Sequence, residues 1–322
     1  MQMKNVLITG GAGFIGSNLV ASFLEDERIN KVRVLDDLSN GYKENLEEFM
    51  NHERFEFLKG DIRDYQTCVK SLQGIDIISH QAALGSVPRS IKDPKTSAEV
   101  NIIGTVNILQ AAVEQGVKRV VLAFSSSTYG DHASLPKKEE KIGNPLSPYA
   151  VTKASIEQFC QVFGSTYGIE WIGLRYFNVF GPKQNPNNPY AAVIPIFSKA
   201  FIENKEIIVN GDGETSRDFT YVDNVVQINL LSMFTENRQA INQIYNTACS
   251  ERVSLNRMIK KLAQITGNKT SIKYGPERIG DVKHSLASIQ KASTLLGYKP
   301  TVYFDEGLEK VVEWYKQSLS SS

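Results

Sequence analysis

The sequence predicts an α/β fold, a doubly wound parallel sheet with a second, smaller domain of mixed α/β character. Short apolar runs rich in Val, Ile and Leu recur without polar alternation, as strands buried on both faces do. Helix-like segments separate them, so the order of elements reads βαβαβ. After Asn178 the rhythm breaks: Gly181, Pro182, Pro186, Pro189 and Pro195 fall within fifteen residues.

Strands are expected at 5–9, 31–35, 55–58, 75–78 and 120–125, and helices at 16–25, 67–72 and 97–115. In the last helix Ile102, Val106, Leu109 and Val113 recur at helical spacing, and Gly116 supplies a stop. A helix at 148–167 and a strand at 170–176 complete the first domain, residues 1–177, to which 219–249 is expected to return. Residues 178–322 form the second domain, without repeats or low-complexity tracts. Trp314 and Tyr315 fit a terminal amphipathic helix docked on the core, and the tail 318–322 reads as disordered.

The 322 residues, 41% of them hydrophobic, exclude a disordered or fibrous chain. Lys plus Arg number 36 against 35 Asp plus Glu, a net charge of +1, so no global field recruits nucleic acid or a membrane surface. An anionic ligand must be met locally. Cys68, Cys160 and Cys249 form neither a disulfide framework nor a metal pattern. The opening residues lack a secretory signal, and no run approaches the roughly 18 apolar residues of a membrane span. A cytoplasmic protein is expected.

The first strand runs into Gly10-Gly11-Ala12-Gly13-Phe14-Ile15-Gly16, a GxxGxxG loop that opens a helix. Glycines let the backbone approach a pyrophosphate, whose charge is met by free amides and the positive end of the helix dipole. A tight strand-to-helix turn is the plain alternative. Asp36, twenty residues after Gly16 at the end of the second strand, strengthens the dinucleotide reading, because its carboxylate can accept both ribose hydroxyls and would repel a 2′-phosphate. Asp37 follows and no Arg stands there, which favours NAD over NADP. Asp61 either lies near the adenine or caps the next helix.

Tyr149 and Lys153 stand four apart at the start of a helix and share a face. An ammonium there, together with a positive nicotinamide, would favour the phenolate and make a general base. A bare YxxxK is also a common surface pattern; here Ser125, Ser126, Ser127 and Thr128 precede it at the carboxyl end of a buried strand, the edge where doubly wound sheets bind ligands. One hydroxyl could relay a proton to Tyr149, or the run could serve only a local turn.

GxxGxxG, Asp36, the Ser run and Tyr149-x-x-x-Lys153, in this order, resemble the extended short-chain dehydrogenase/reductase family. His80-Gln81-Ala82-Ala83, Leu174-Arg175-Tyr176-Phe177-Asn178, Arg217-Asp218-Phe219 with Val222-Asp223, and Arg278-Ile279-Gly280-Asp281 are similar to signatures of its nucleotide-sugar branch. The resemblance implies a Rossmann sheet and bound NAD. It implies cofactor contacts from Gly10, Gly13, Phe14, Ile15, Gly16, Asp36, Asp37, Asn40, Gly41, Asp61, Ile62, Gln81, Ala82, Ala83, Ser125, Tyr149, Lys153 and Tyr176. Sugar 4,6-dehydratases of the branch place an Asp-Glu pair where this chain has Ser126, Ser127 and Thr128, and its decarboxylases use an added Glu that is missing here. A 4-epimerase remains. By that resemblance Tyr149 takes the proton of the sugar 4-hydroxyl while hydride passes from C4 to NAD; the 4-keto sugar turns over and hydride returns to its other face. Ser126 and Ser127 are the hydroxyls expected at the substrate, with Ser125 closer to the cofactor.

The short Ser-Ser-Ser-Thr-Tyr-Gly form, the stretch from Leu84 to Ser90 and the stretch from Asn187 to Pro195 look like bacterial UDP-N-acetylglucosamine 4-epimerases. UDP-N-acetylglucosamine or its uronic acid is then the expected substrate, with UDP-glucose 4-epimerase or a nucleotide-sugar reductase or dehydrogenase as alternatives. Substrate contacts are expected from Gly85, Ser86, Val87, Ser127, Asn178, Ala192, Val193, Val209, Arg217, Arg278, Asp281 and Ser285. Arg217 and Arg278 would hold the diphosphate, Asp281 the uridine ribose, and the small Ser285 would leave room for a 2-acetamido group. Val209 packs on uracil or belongs to the core, and Arg89 meets a C6 carboxylate or a structural Asp. No metal site is expected; His80 and Cys160 read as core, and His132 and His284 receive no role. Family members pair through two helices, so a homodimer is expected, built on 97–115 and 148–167.

Overall fold

The computed structural model describes residues 3–187, 191–276 and 283–320. Seven strands form the central sheet: β1 (Lys4–Thr9), β2 (Ile29–Asp36), β3 (Phe55–Lys59), β4 (Ile77–His80), β5 (Arg119–Ser125), β6 (Glu170–Tyr176) and β7 (Gln243–Thr247). Their spatial order is β7-β6-β5-β4-β1-β2-β3, and every neighbouring pair is parallel. Strand order reverses between β1 and β4, and the crevice at the carboxyl ends beside that switch point is where such sheets bind ligands.

Six helices position the site: α1 (Phe14–Glu25), α2 (Tyr65–Ser71), α3 (Thr105–Glu114), α4 (Pro148–Tyr167), α5 (Val222–Phe234) and α6 (Phe304–Ser320). Consecutive residues of β1 explain the lack of polar alternation. Val6 and Ile8 pack into one layer with α1 and α5, whereas Leu7 packs into the opposite layer with α2, α3 and α4. All three are fully buried, because successive strand residues point to opposite faces and both faces are covered. Beyond β6 a separate apolar cluster gathers Phe180, Phe197, Phe201, Val209, Met258 and Phe304, among others. Among the described residues no helix is long and apolar enough to cross a membrane.

The helix expected over 97–115 is interrupted. A short helix, Pro94–Ala98, passes into a π-turn, Glu99–Gly104, before α3 begins. Two contacts account for the turn. Gly104 presses on Ile62, where a Cβ would come within 2.5 Å of the Ile62 side chain. Asn101 is buried, accepting from Leu84 N at 2.8 Å and donating to Thr152 Oγ1 at 3.0 Å. π-turns rotate the stripe that follows them. Ile108, Leu109, Ala111 and Ala112 take the core, and Ile102, Val106 and Val113 are left only partly buried.

Two smaller differences share one cause, local tethering. The strand expected at 75–78 starts at Ile77, because Asp76 is engaged with β1: its amide donates to Asn5 O and its carboxylate accepts from Asn5 N. The tail expected to be disordered continues α6 through Ser320, with Leu319 against the second cluster. Ser321 and Ser322 lie outside the described residues.

Candidate active site

At the carboxyl end of β1 the chain turns at Gly10, whose φ of +69° suits glycine, and a Cβ there would lie 2.7 Å from Ala82 N. Gly16 lies so close to the Gly10 carbonyl that a side chain would collide with it. The start of α1 is thereby drawn against the loop, and no side chain caps its first amides. Asp36 Oδ2 accepts from Ala12 N at 2.9 Å and Oδ1 from Leu38 N at 2.8 Å, so the carboxylate organises the loop and keeps lone pairs for a ligand. Burial raises its pKa, against those two amide bonds.

The loop opens on a cleft of about 700 Å³ that runs past Asp36 and Asp61 to Tyr149 and Lys153. Its size and its open glycine backbone over an uncapped helix start fit a dinucleotide. Asp37 accepts from the amide and hydroxyl of Ser39, and Asn40 Oδ1 accepts from Arg89 Nη2 at 3.0 Å. Asp61 pairs with Arg63 at 2.6 Å, which lowers its pKa, while Asp64 caps α2. The capping alternative for Asp61 is thus excluded. Beneath the cleft Tyr176 donates to Gln81 Oε1 at 3.1 Å and accepts from Asn229 Nδ2 at 2.9 Å. His80 is buried between Thr9 and Thr105 hydroxyls at 2.7 and 2.9 Å, and burial pulls its pKa down to about 3.

Ser147 and Pro148 start α4, the Ser147 hydroxyl capping Ala150 N, so Tyr149 lies in the first helical turn. Burial raises the Tyr149 phenol, and a hydrogen bond with the Ser125 side chain pulls the other way. The spacing argument expects Lys153, together with a positive nicotinamide, to favour the phenolate. The Lys153 ammonium donates to Ala123 O at 2.7 Å and stands 6.0 Å from the centre of the Tyr149 ring. Burial pulls Lys153 down to about 8, and the carboxylate of Glu157, one turn on, opposes that shift.

A second cavity of about 480 Å³ adjoins the first, and Ser125, Ser126, Val87 and Asn178 line both. Ser127, Tyr129, Lys137, Arg217 and Ser285 belong to the second alone. The Ser125 side chain acts on the phenol, and its hydroxyl accepts from Ser127 N at 3.1 Å. Ser127 Oγ is buried there without a partner among the described residues. Arg217 donates to Ser216 O at 3.0 Å, Ser285 N donates to Ser216 O at 3.0 Å, and Asn178 Nδ2 donates to Asp218 O at 3.0 Å.

Of the remaining expected residues, Gly13, Phe14, Ile15, Gly41, Ile62, Ala82, Ala83, Gly85, Ser86 and Ala192 all line the first cleft. Val193 starts the helix Val193–Ile202 and packs on the second cluster. Val209 is fully buried in that cluster and lines neither cavity, because the alternation of the strand Ile207–Asn210 turns it inward. Arg278 and Asp281, with Asn188, Pro189 and Tyr190 of the quoted stretch, lie outside the described residues. Reading the sequence missed Lys137, and also Gln184, whose Oε1 is buried in the first cleft without a partner among the described residues. Both sit in polar loops where spacing carries no signal. Among the described residues no group of three or more His, Cys, Asp or Glu could hold a metal ion.

The model of the NAD dependent epimerase/dehydratase family matches residues 6–248. The UDP-glucose 4-epimerase of Mycolicibacterium smegmatis is 35% identical over 317 residues, 96% of this chain and 98% of that protein. The crystal structure of the UDP-N-acetylglucosamine 4-epimerase of Methanobrevibacter ruminantium M1, in complex with UDP-N-acetylmuramic acid, superposes with a TM-score of 0.92 at 38% identity over 99% of this chain and 100% of that one. That of the UDP-glucuronic acid 4-epimerase of Bacillus cereus, with UDP-glucuronic acid and NAD, gives 0.91 at 32% identity over 98% and 99%. Likeness of this extent, with the glycine loop and Asp36 set around one dinucleotide-sized cleft, means that the chain belongs to the NAD-dependent epimerase/dehydratase family and takes NAD as its cofactor.

Proposed function

We propose that the chain is a UDP-sugar 4-epimerase whose substrate is UDP-N-acetylglucosamine or the corresponding uronic acid. The observation that carries this reading is the place of Tyr149: it lines the first cleft with Ser125 and Ser126, which also line the second cavity, so a sugar in one would meet the cofactor in the other. NAD, when bound, supplies the hydride acceptor and a positive charge. Tyr149 takes the proton of the sugar 4-hydroxyl, with Ser125 as a relay, and gives it back after the ring has turned over. Ser126 and Ser127 hold the 4-oxygen, and the Ser127 hydroxyl, without a partner among the described residues, supports that role. Lys153 places its charge beneath the phenol, held by Ala123. Arg217 and Asn178 anchor the nucleotide while the hexose pivots, Arg217 as a charge-assisted donor to phosphate. In this reading residues 1–177 with 219–249 hold NAD and 178–322 hold UDP-sugar.

Ser285, small and on the wall of the second cavity, supports an acetamido substrate. UDP-glucose is the second reading, since UDP-glucose 4-epimerases are among the relatives. Incubation of the purified protein with UDP-N-acetylglucosamine, its uronic acid and UDP-glucose, followed by separation of the products, tests the proposal. Interconversion of 4-epimers without net NADH is expected; accumulation of NADH with an oxidised sugar would identify a dehydrogenase instead.

We also propose a homodimer through α4 and the helix before it, because Val151, Phe159 and Val162 of α4 and the neighbouring Ile103 are exposed apolar side chains. The three thiols are buried and unpaired, which fits a reducing cytoplasm.

A further inference from the structure

The loop between β5 and α4 carries a lysine that neither motif nor charge pattern marks. Lys137 stands between the exposed Pro136 and Lys138 yet is only 4% exposed. Its backbone locks it in place: N donates to Leu286 O at 2.7 Å, and O accepts from Ser288 N at 2.9 Å and Asn246 Nδ2 at 3.0 Å. The ammonium donates to the His132 carbonyl, which uses one of its three N–H groups. Among the described residues no carboxylate pairs with it, and burial is what acts on its charge. The cavity that Lys137 lines holds a second cation, Arg217, and no carboxylate among its described lining residues.

We infer that Lys137 is a specificity-determining residue that meets a carboxylate on C6 of the sugar, so that UDP-linked hexuronic acids, foremost the N-acetylated pair, are preferred over neutral hexoses. The inference rests on the 4-epimerase reading and deepens it. A neutral hexose leaves a buried ammonium without a counter-charge among the described residues, whereas a carboxylate supplies charge-assisted hydrogen bonds to its two remaining donors. Arg89, the cation that the sequence offers for this carboxylate, is bonded to Asn40 and lines neither cavity. The diphosphate is a rival anion. Lys137 and Arg217 line the same cavity, Lys137 on the loop between β5 and α4 and Arg217 on the strand Ser216–Arg217, and UDP binding separates the two anions in the test.

The test compares the wild type, Lys137→Met and Lys137→Arg on UDP-N-acetylglucosamine and on its uronic acid, with binding of UDP alone measured by calorimetry on the same preparations. Lys137→Met is expected to lower kcat/KM for the uronic acid about 30-fold, as removing one partner of a buried charge pair does, and to change the neutral sugar and UDP affinity less than about threefold. Lys137→Arg should restore part of the loss. An equal fall on both sugars with weaker UDP binding would place Lys137 on the diphosphate and overturn the inference, as would unchanged turnover of the uronic acid. Should Lys137→Met not fold, the wild-type ratio of the two kcat/KM values decides: a ratio favouring the neutral sugar overturns it. If the wild type epimerises neither sugar, it is the 4-epimerase reading that fails.

Discussion

Arg175 and Glu157 form a two-pronged ion pair between β6 and α4, Nε to Oε1 at 2.8 Å and Nη2 to Oε2 at 2.7 Å, with both side chains buried. Glu157 follows Lys153 by one turn of α4 and Arg175 stands on β6, so the pair pins the helix that carries Tyr149 to the sheet. The guanidinium also lies 4.8 Å from the centre of the Tyr129 ring and donates to Glu139 O at 3.0 Å. Removing one charge strands the other in the core. Glu157→Gln should therefore destabilise the fold by about 3–5 kcal/mol in urea titrations, and a loss below about 1 kcal/mol would show that the pair is replaceable.

Tyr149→Phe removes the phenolic proton acceptor and leaves the shape of the cleft. NAD should stay bound through desalting while epimerisation slows by about 10²- to 10⁴-fold, the usual worth of a positioned general base. Turnover equal to that of the wild type would refute the assignment.

Asp36 holds the amides of Ala12 and Leu38 and lines the first cleft, where the proposal gives it the cofactor ribose. Asp36→Asn turns one acceptor into a donor against an amide. NAD affinity, followed by fluorescence titration of the stripped protein, should fall about 10- to 100-fold, the loss expected for one or two hydrogen bonds to a charged group.

Asp218 is fully buried and accepts from Cys249 N and Ala287 N, both at 3.0 Å. Burial pushes its carboxyl up to about 6, more than these amides pull it down. A carboxyl whose folded value exceeds its unfolded value takes up a proton on folding, so its contribution is complete below about pH 4 and is lost as the pH rises through about 6. From pH 4 to pH 7 the wild type should lose about 2 kcal/mol relative to Asp218→Asn in paired unfolding curves. A difference that does not vary with pH would contradict this.

The exposed Val151, Phe159 and Val162 recur along one side of α4. Phe159→Glu with Val162→Glu should convert a dimer to monomers in light scattering at micromolar concentration without unfolding the chain. A wild type that is already monomeric there would remove the proposed interface.

The sheet was legible because its strands are buried on both faces: Val6, Leu7 and Ile8 enter two different layers and must all be apolar. The loop from Gly10 to Gly16 and Asp36 were legible for a similar reason, since each needs one residue type at one backbone position. The π-turn at Glu99–Gly104 was not, because it answers contacts with Ile62 and Leu84, distant in sequence. Nor was the inward turn of Val209, which depends on what covers its strand.

The order of motifs thus determined the fold class, the cofactor and the residue types available for proton transfer, because backbone geometry and local spacing constrain them directly. Tertiary structure alone decided that the Lys153 ammonium is held by Ala123 O, that Val209 is turned into the core, and that Lys137 is buried in the wall of the second cavity. Those outcomes depend on desolvation and on partners brought together from separate elements, and neither is written in the spacing of residues along the chain.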